Sequence, residues 1–312
     1  MKKALESVRA CRFGAILYHQ LRLDGINLMS SLKSDILVQR FAAFSDGATG
    51  GNPAGIVLGA VLPEESIMRR IAADVGFSET AFGAPVDDGW RVRYFSPESE
   101  VPFCGHATIA LGAALAMTQG DGVFTLKLNN ATITVEGRRN GGTIAAALQS
   151  PPTRSSPVEA GLLRDALTLF GYSSRDLDSS VPPALAHAGA DHLILALKSR
   201  ARLAEMHYDL GAGRELMNGA GIVTIMLLHA EAPQLFHARN PFASGGVYED
   251  PATGAAAAAL AGYLRDIGWP HGNAIEIVQG EDMGMRSRIR AEISPVVGAS
   301  IRVSGTARVL SG

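Results

Sequence analysis

The chain has 312 residues, of which 47% are hydrophobic and 19% charged, and its 28 Lys and Arg against 30 Asp and Glu leave a net charge of −2. That length suits about two domains, at roughly 150 residues each, with cores large enough to need no disulfide or metal staple. The near-neutral balance provides no basic field for nucleic acid or an anionic membrane, and neither is expected as a partner.

Two cysteines, Cys11 and Cys104, form no disulfide framework and no zinc-ligand spacing, which fits a reducing, cytoplasmic setting. The most apolar stretches, residues 107–117 and 255–264, reach about half of the roughly 20 residues that a membrane helix needs. Residues 1–34 begin with a basic segment, but its apolar part is short and lacks a small-residue cleavage site. They are read as an extension of unassigned role.

Beyond the extension, Ile36, Val38 and Phe41 open a strand, and the turn-rich loop Ser45-Asp-Gly-Ala-Thr-Gly-Gly-Asn-Pro-Ala54 separates it from a second at residues 55–58. Pro63 at a first helical position, Ile67, Ile71 and Val75 at every fourth residue, and Gly76 as a stop predict an amphipathic helix. Residues 77–82 predict a strand on which Glu79 shares a face with Phe77 and Ala81. A strand at 90–95 leads through a loop at 96–106 into residues 107–117, which carry no charge on any side. A helix apolar all round is buried all round, so something must enclose it. A hairpin over 124–128 and 132–135, turning at Asn129-Asn130, and a strand at 143–148 complete the first half.

The proline- and serine-rich tract Ser150-Pro-Pro-Thr-Arg-Ser-Ser-Pro157 reads as a linker. It divides the chain into domains at 35–150 and 151–312, with the last strands free to pack across. The second half predicts helices at 158–170 and 201–208, strands at 192–197, 221–229 and 235–238, and a second small-residue helix at 255–264. In both halves a strand carrying an arginine, Arg93 or Arg239, leads through a glycine-containing turn into an Ala-rich helix. Two related halves, each wrapping strands around one buried helix, are expected.

Chemistry concentrates at the mouths of those two helices. Helix starts leave backbone N–H groups unpaired and partly positive, so Pro102-Phe-Cys-Gly-His-Ala-Thr108 suits a carboxylate or an enolate-like oxygen; the alternative is a plain capped helix. In the counterpart, Glu249-Asp-Pro-Ala-Thr-Gly254, Asp250 taken alone reads preferentially as an N-cap with Pro251 at the first helical position. If the halves face each other, both mouths open into one cleft that suits a small carboxylate substrate. Glu79, among apolar neighbours, is then expected to have a pKa raised toward the range useful for acid/base work; the competing reading is a glutamate on an exposed sheet edge. Cys104 reads either as a thiolate activated by the helix start or as a small buried hydrophobe, and the second is preferred because the second half offers no cysteine partner. His106 reads as a structural histidine or as one facing an anion. The other histidines have no paired helical spacing, so no metal site is expected. Neither a phosphate loop nor a dinucleotide fingerprint occurs, so no such cofactor is implied.

Taken together, Gly51-Asn-Pro-Ala54, Ser78-Glu-Thr-Ala-Phe82, Arg93-Tyr-Phe-Ser-Pro97, Glu100-Val-Pro-Phe-Cys-Gly-His-Ala-Thr108, Glu249-Asp-Pro-Ala-Thr-Gly254 and Gln279-Gly280 resemble the PhzF-like (phenazine biosynthesis-like) family, in that family's order. The resemblance runs from about residue 35 to the C-terminus. It implies an α/β (α+β) fold of the diaminopimelate-epimerase-like kind, with two similar domains, each a barrel-like sheet around a central helix, and a homodimer. It also implies an isomerase that uses no cofactor and moves a proton between carbons of a small carboxylate, similar to isomerases of trans-2,3-dihydro-3-hydroxyanthranilate. By the same resemblance Glu79 is the acid/base residue, supported by His106 and Asp250, and Asn52, Ser78, Gly105, Ala107, Thr253, Gly254 and Ala255 hold the substrate. Three features depart from the family pattern: Ala255 in place of the common serine, Met285-Arg-Ser287 in place of Arg-Pro-Ser, and the first 34 residues. The alternatives are an amino-acid epimerase or racemase, which needs a second thiol, and a carboxylate-binding protein without turnover.

Overall fold

A helix apolar on every side must be enclosed on every side, and in this chain a sheet that closes around it does so. The computed structural model describes residues 36–141 and 143–311; the extension at 1–34 and Cys11 lie outside them. In the first half, strands β1 (Gln39–Ala43) and β2 (Asn52–Leu58), helix α1 (Glu65–Val75), strands β3 (Glu79–Val86), β4 (Gly89–Phe95) and the two-residue β5 (Glu100–Val101) precede helix α2 (Gly105–Gln119). Strands β6 (Gly122–Lys127), β7 (Thr132–Asn140) and β8 (Thr143–Gln149) follow it. Every residue of α2 from 106 to 116 is buried.

The second half contains β9 (Arg154–Pro157), α3 (Ala160–Leu169), β10 (Ala184–His187), β11 (Asp191–Ala196), α4 (Arg200–Ala204), α5 (Leu210–Ala220), β12 (Thr224–Ala232) and β13 (Leu235–Arg239). Helix α6 (Gly254–Asp266), β14 (Ala274–Gln279), β15 (Ser287–Glu292) and β16 (Arg302–Val309) complete it. Strand β16 pairs with both β8 and β1, closing β1-β2-β3-β4-β6-β7-β8-β16 into a ring around α2. On its other side β16 pairs with β15, and the sheet continues through β14-β13-β12-β11-β10-β9 around α6. The result is the fold expected from the sequence resemblance.

The halves share one connection pattern. Pairs β2–β3 and β4–β6 are parallel and bridged by α1 and α2; β11–β12 and β13–β14 are parallel and bridged by α4 with α5 and by α6. Antiparallel register sets Phe82 opposite Arg93 in the first half and Leu227 opposite Arg239 in the second. Ring closure also demands close approach between helix and strand: a Cβ at Gly137 in β7 would lie 2.2 Å from the Gly112 carbonyl oxygen in α2.

Several expected elements differ. Helix α1 is capped at Glu64, so Pro63 lies just outside it, and its buried side chains are Met68 and Ala72 between the expected apolar positions. Residues 154–157 of the linker tract form β9, an edge strand of polar sequence that exists because β10 offers it partners. Helix α5 is absent from the sequence reading because Gly211, Gly213 and Gly219 lower its helical propensity. Gly213 is needed there: a Cβ would meet the Tyr208 ring at 2.5 Å.

Candidate active site

Parallel pairing places Ala54 of β2 opposite Glu79, the first residue of β3. His106 is the second residue of α2, and its Nε2 lies 3.4 Å from Glu79 Oε2. Glu79 is 8% and His106 5% exposed, so the exposed-edge reading of Glu79 does not hold. Ser78 Oγ also lies 3.4 Å from His106 Nε2, while Cys104 Sγ lies 3.3 Å from Nδ1. Burial, reinforced by the nearby Glu79 carboxylate, pushes the Cys104 thiol well above its usual range. Desolvation therefore outweighs the helix-start effect, and Cys104 is a neutral buried thiol. The three side chains bring a carboxylate oxygen, a sulfur and a ring nitrogen within 4.8 Å of one another, a mixed donor set within the span of one metal ion.

Asp250 is not the N-cap of α6; Thr253 is, and the helix begins at Gly254. The aspartate sits in a network that ties α6 to the first half. Its Oδ1 accepts a 2.7 Å hydrogen bond from Asn52 Nδ2, and its Oδ2 accepts one from the Thr253 hydroxyl. Asn52 Nδ2 also donates to the Ala252 carbonyl at 3.0 Å. Burial raises the Asp250 carboxyl to about 6.

Two residues without an assigned role in the sequence reading complete this network. Gln279 Nε2 donates to the Asp250 carbonyl at 2.7 Å and to Thr253 Oγ1 at 3.1 Å, and Asn240 Nδ2 donates to Thr253 Oγ1 at 2.5 Å. Gln279 was visible as part of a motif, but its partners lie 26 and 29 residues away, beyond the reach of any local period.

The mouths of α2 and α6 meet: a Cβ at Gly105 would stand 3.7 Å from the Ala255 amide nitrogen and from Gly254 Cα. Glu79, Ser78, Asn52 and Pro251 line a cavity of about 750 Å³, completed by residues of the 96–99 and 242–247 loops. Of the expected substrate-holding residues, Asn52 and Ser78 line this cavity, and Gly105 and Ala255 are half-buried at the helix mouths. Ala107 and Gly254 are buried, and the Thr253 hydroxyl is occupied within the protein.

Equivalent positions of the two halves can be matched through their arginines. Arg93 forks onto Glu100 at 2.7 and 2.5 Å, and Arg239 forks onto Glu249 at 3.0 and 2.5 Å. Each glutamate lies five residues before its helix, so Cys104 and His106 correspond to Thr253 and Ala255. Each arginine faces the residue three beyond the start of β3 or β12, so Glu79 corresponds to Thr224. Glu79 and His106 thus have no titratable counterparts at the matching places of the second half, which contributes Asp250 from a different place.

The family model described as phenazine biosynthesis-like protein matches residues 41–312. The chain is 34% identical over 265 residues to an uncharacterised isomerase of Deinococcus radiodurans, covering 81% of this chain and 85% of that protein. It is 32% identical to the trans-2,3-dihydro-3-hydroxyanthranilate isomerase of Pseudomonas aeruginosa, covering 84% of this chain and 91% of that one. Among solved structures, the phenazine biosynthesis protein of the PhzF family from Bacillus anthracis superposes with a TM-score of 0.78 at 23% identity, covering 88% of this chain and 96% of that chain. That structural likeness carries the fold.

Proposed function

The chain belongs to the phenazine biosynthesis-like protein family, and on that premise we propose that it is an isomerase that moves a proton between two carbons of a small unsaturated carboxylate without a cofactor. The observation that carries this reading is that Glu79 and His106 have no titratable counterparts at the matching places of the other half. Glu79 and His106 lie together at one helix mouth, while Thr224, Thr253 and Ala255 occupy the matching places of the other half. A two-base inversion of an amino acid needs a proton carrier on each face of the carbon. A single carrier suits removal of a proton at one carbon and its return to another on the same face.

In that reaction the Glu79 carboxylate takes a proton from carbon, and the electron pair left behind spreads over the substrate's conjugated system. The protonated Glu79, which lines the open cavity and exchanges its proton with solvent there, then delivers a proton further along that system, so no atom or electron is gained or lost overall. His106, 3.4 Å from Glu79 Oε2, orients the carboxylate. The abutting mouths of α2 and α6 direct partly positive backbone toward the negative charge that develops. Asp250 holds the mouth of α6 against β2 through Asn52 and Thr253. The family resemblance adds a homodimer and a cytoplasmic setting to the same proposal.

The relative from Pseudomonas aeruginosa makes trans-2,3-dihydro-3-hydroxyanthranilate the first substrate to try. The purified full chain is incubated with it in D2O, and the product is read by proton NMR. Turnover with one deuterium entering at a carbon other than the one that lost its hydrogen supports the reading. Absence of turnover with this compound and with a panel of other unsaturated carboxylates contradicts it.

A further inference from the structure

Arg214, an exposed residue of α5, lines the same cavity as Glu79. Other arginines of the second half are neutralised within the protein: Arg239 is forked onto Glu249, and Arg200 pairs with Glu281 and Asp282. Among the described residues no carboxylate forms an ion pair with Arg214, and unlike Arg175 and Arg308, which share that property, it lines the cavity of Glu79. Its Nε donates to the Ala243 carbonyl at 3.3 Å, which steadies the side chain and leaves the outer nitrogens free of charged partners. Gly246 makes room for it: a Cβ there would lie 3.1 Å from an outer nitrogen, and the glycine adopts a left-handed φ of 78°.

The charge pattern of the cavity gives this residue a task. Its charged lining consists of Glu79, Glu98 and Arg214, the last being its one cation among the described residues. An anion entering between two carboxylates is repelled unless a counter-charge meets it. A guanidinium offers that charge together with a forked pair of donors matched to a carboxylate.

We propose that Arg214 is the anchor for the substrate's anionic group, so that the second half selects an acid over its neutral counterparts while the first half performs the proton transfer. The identity of the reaction rests on the isomerase reading above; recognition of the anion does not.

Binding is therefore measured apart from turnover, by calorimetric titration of full-length Glu79→Gln protein with and without Arg214→Gln or Arg214→Lys. The probes are trans-2,3-dihydro-3-hydroxyanthranilate, sorbate, itaconate and cis,cis-muconate, each beside its methyl ester. At least one acid is expected to bind more tightly than its ester. Arg214→Gln then weakens the acid by roughly 10- to 100-fold, the range for a hydrogen bond to a charged group, without weakening the ester, and Arg214→Lys restores part of the loss. An acid bound equally tightly with Arg214→Gln, esters bound as well as acids, or no acid bound at all overturns the proposal. Binding that depends on Arg214 in a parent protein that never exchanges deuterium refutes the isomerase reading alone. Deuterium exchange by a parent whose acid affinity ignores Arg214→Gln refutes the anchor alone.

Discussion

Replacing Asp250 by asparagine tests whether this carboxyl is as deeply desolvated as its position indicates. Its pKa stands at about 6 against an ordinary 3.8, with burial the largest cause. At about 1.36 kcal/mol per pH unit, that difference corresponds to about 3 kcal/mol. The folded chain holds the proton more tightly than the unfolded chain, so the stabilisation is fully present below about pH 3.8 and is lost as the pH rises through 6. Asparagine does not titrate; it retains an acceptor for Asn52 but leaves the Thr253 hydroxyl without the acceptor that it uses. That loss costs about 1–2 kcal/mol at any pH. Urea unfolding of parent and Asp250→Asn at pH 4, 5, 6 and 7.5, compared as a difference at each pH, cancels the other titrating groups. The parent is expected to lose about 2 kcal/mol relative to the variant between pH 4, where the unfolded chain is already partly ionised, and pH 7.5. A difference independent of pH, or one with the opposite slope, refutes the assigned burial.

Two further perturbations address the packing. Gly137→Ala places a Cβ against the backbone oxygen of Gly112, with no flexible side chain to yield, and should cost about 2–3 kcal/mol. Gly219→Ala, in α5 with nothing within 4 Å of the added carbon, should instead stabilise by about 0.5–1 kcal/mol; calorimetric melting of both variants checks the contrast. In a Cys11→Ser background, the buried neutral thiol of Cys104 should resist Ellman's reagent at pH 8 until urea unfolds the chain, and prompt reaction with native protein contradicts its assignment.

The two central helices are legible in the sequence because residues 107–117 and 255–264 lack any polar face, a pattern that only enclosure explains. The arginine before each helix is legible for a related reason: a charge that leads into an apolar segment needs a partner, and Glu100 and Glu249 supply it. Glu79 and His106 can be singled out by residue type and neighbours, but their 3.4 Å approach depends on the ring that β16 closes from nearly the other end of the chain. For Asp250 the local signal points to a cap, since Asp-Pro before a helix is a good capping signal, and only tertiary structure removes that alternative by showing its bonds to Asn52 and Thr253. Strands β9 and β10 and helix α5 escape notice because pairing and packing, rather than propensity, make them.

The central claim is that a single carboxylate, Glu79, carries the proton. Its most direct test is the rate of deuterium incorporation from D2O into a substrate that the parent converts, compared with that of Glu79→Gln at saturating concentration. The account predicts a fall of roughly 100-fold to 10,000-fold while the variant still binds the substrate. Incorporation by Glu79→Gln at the parent's rate contradicts it.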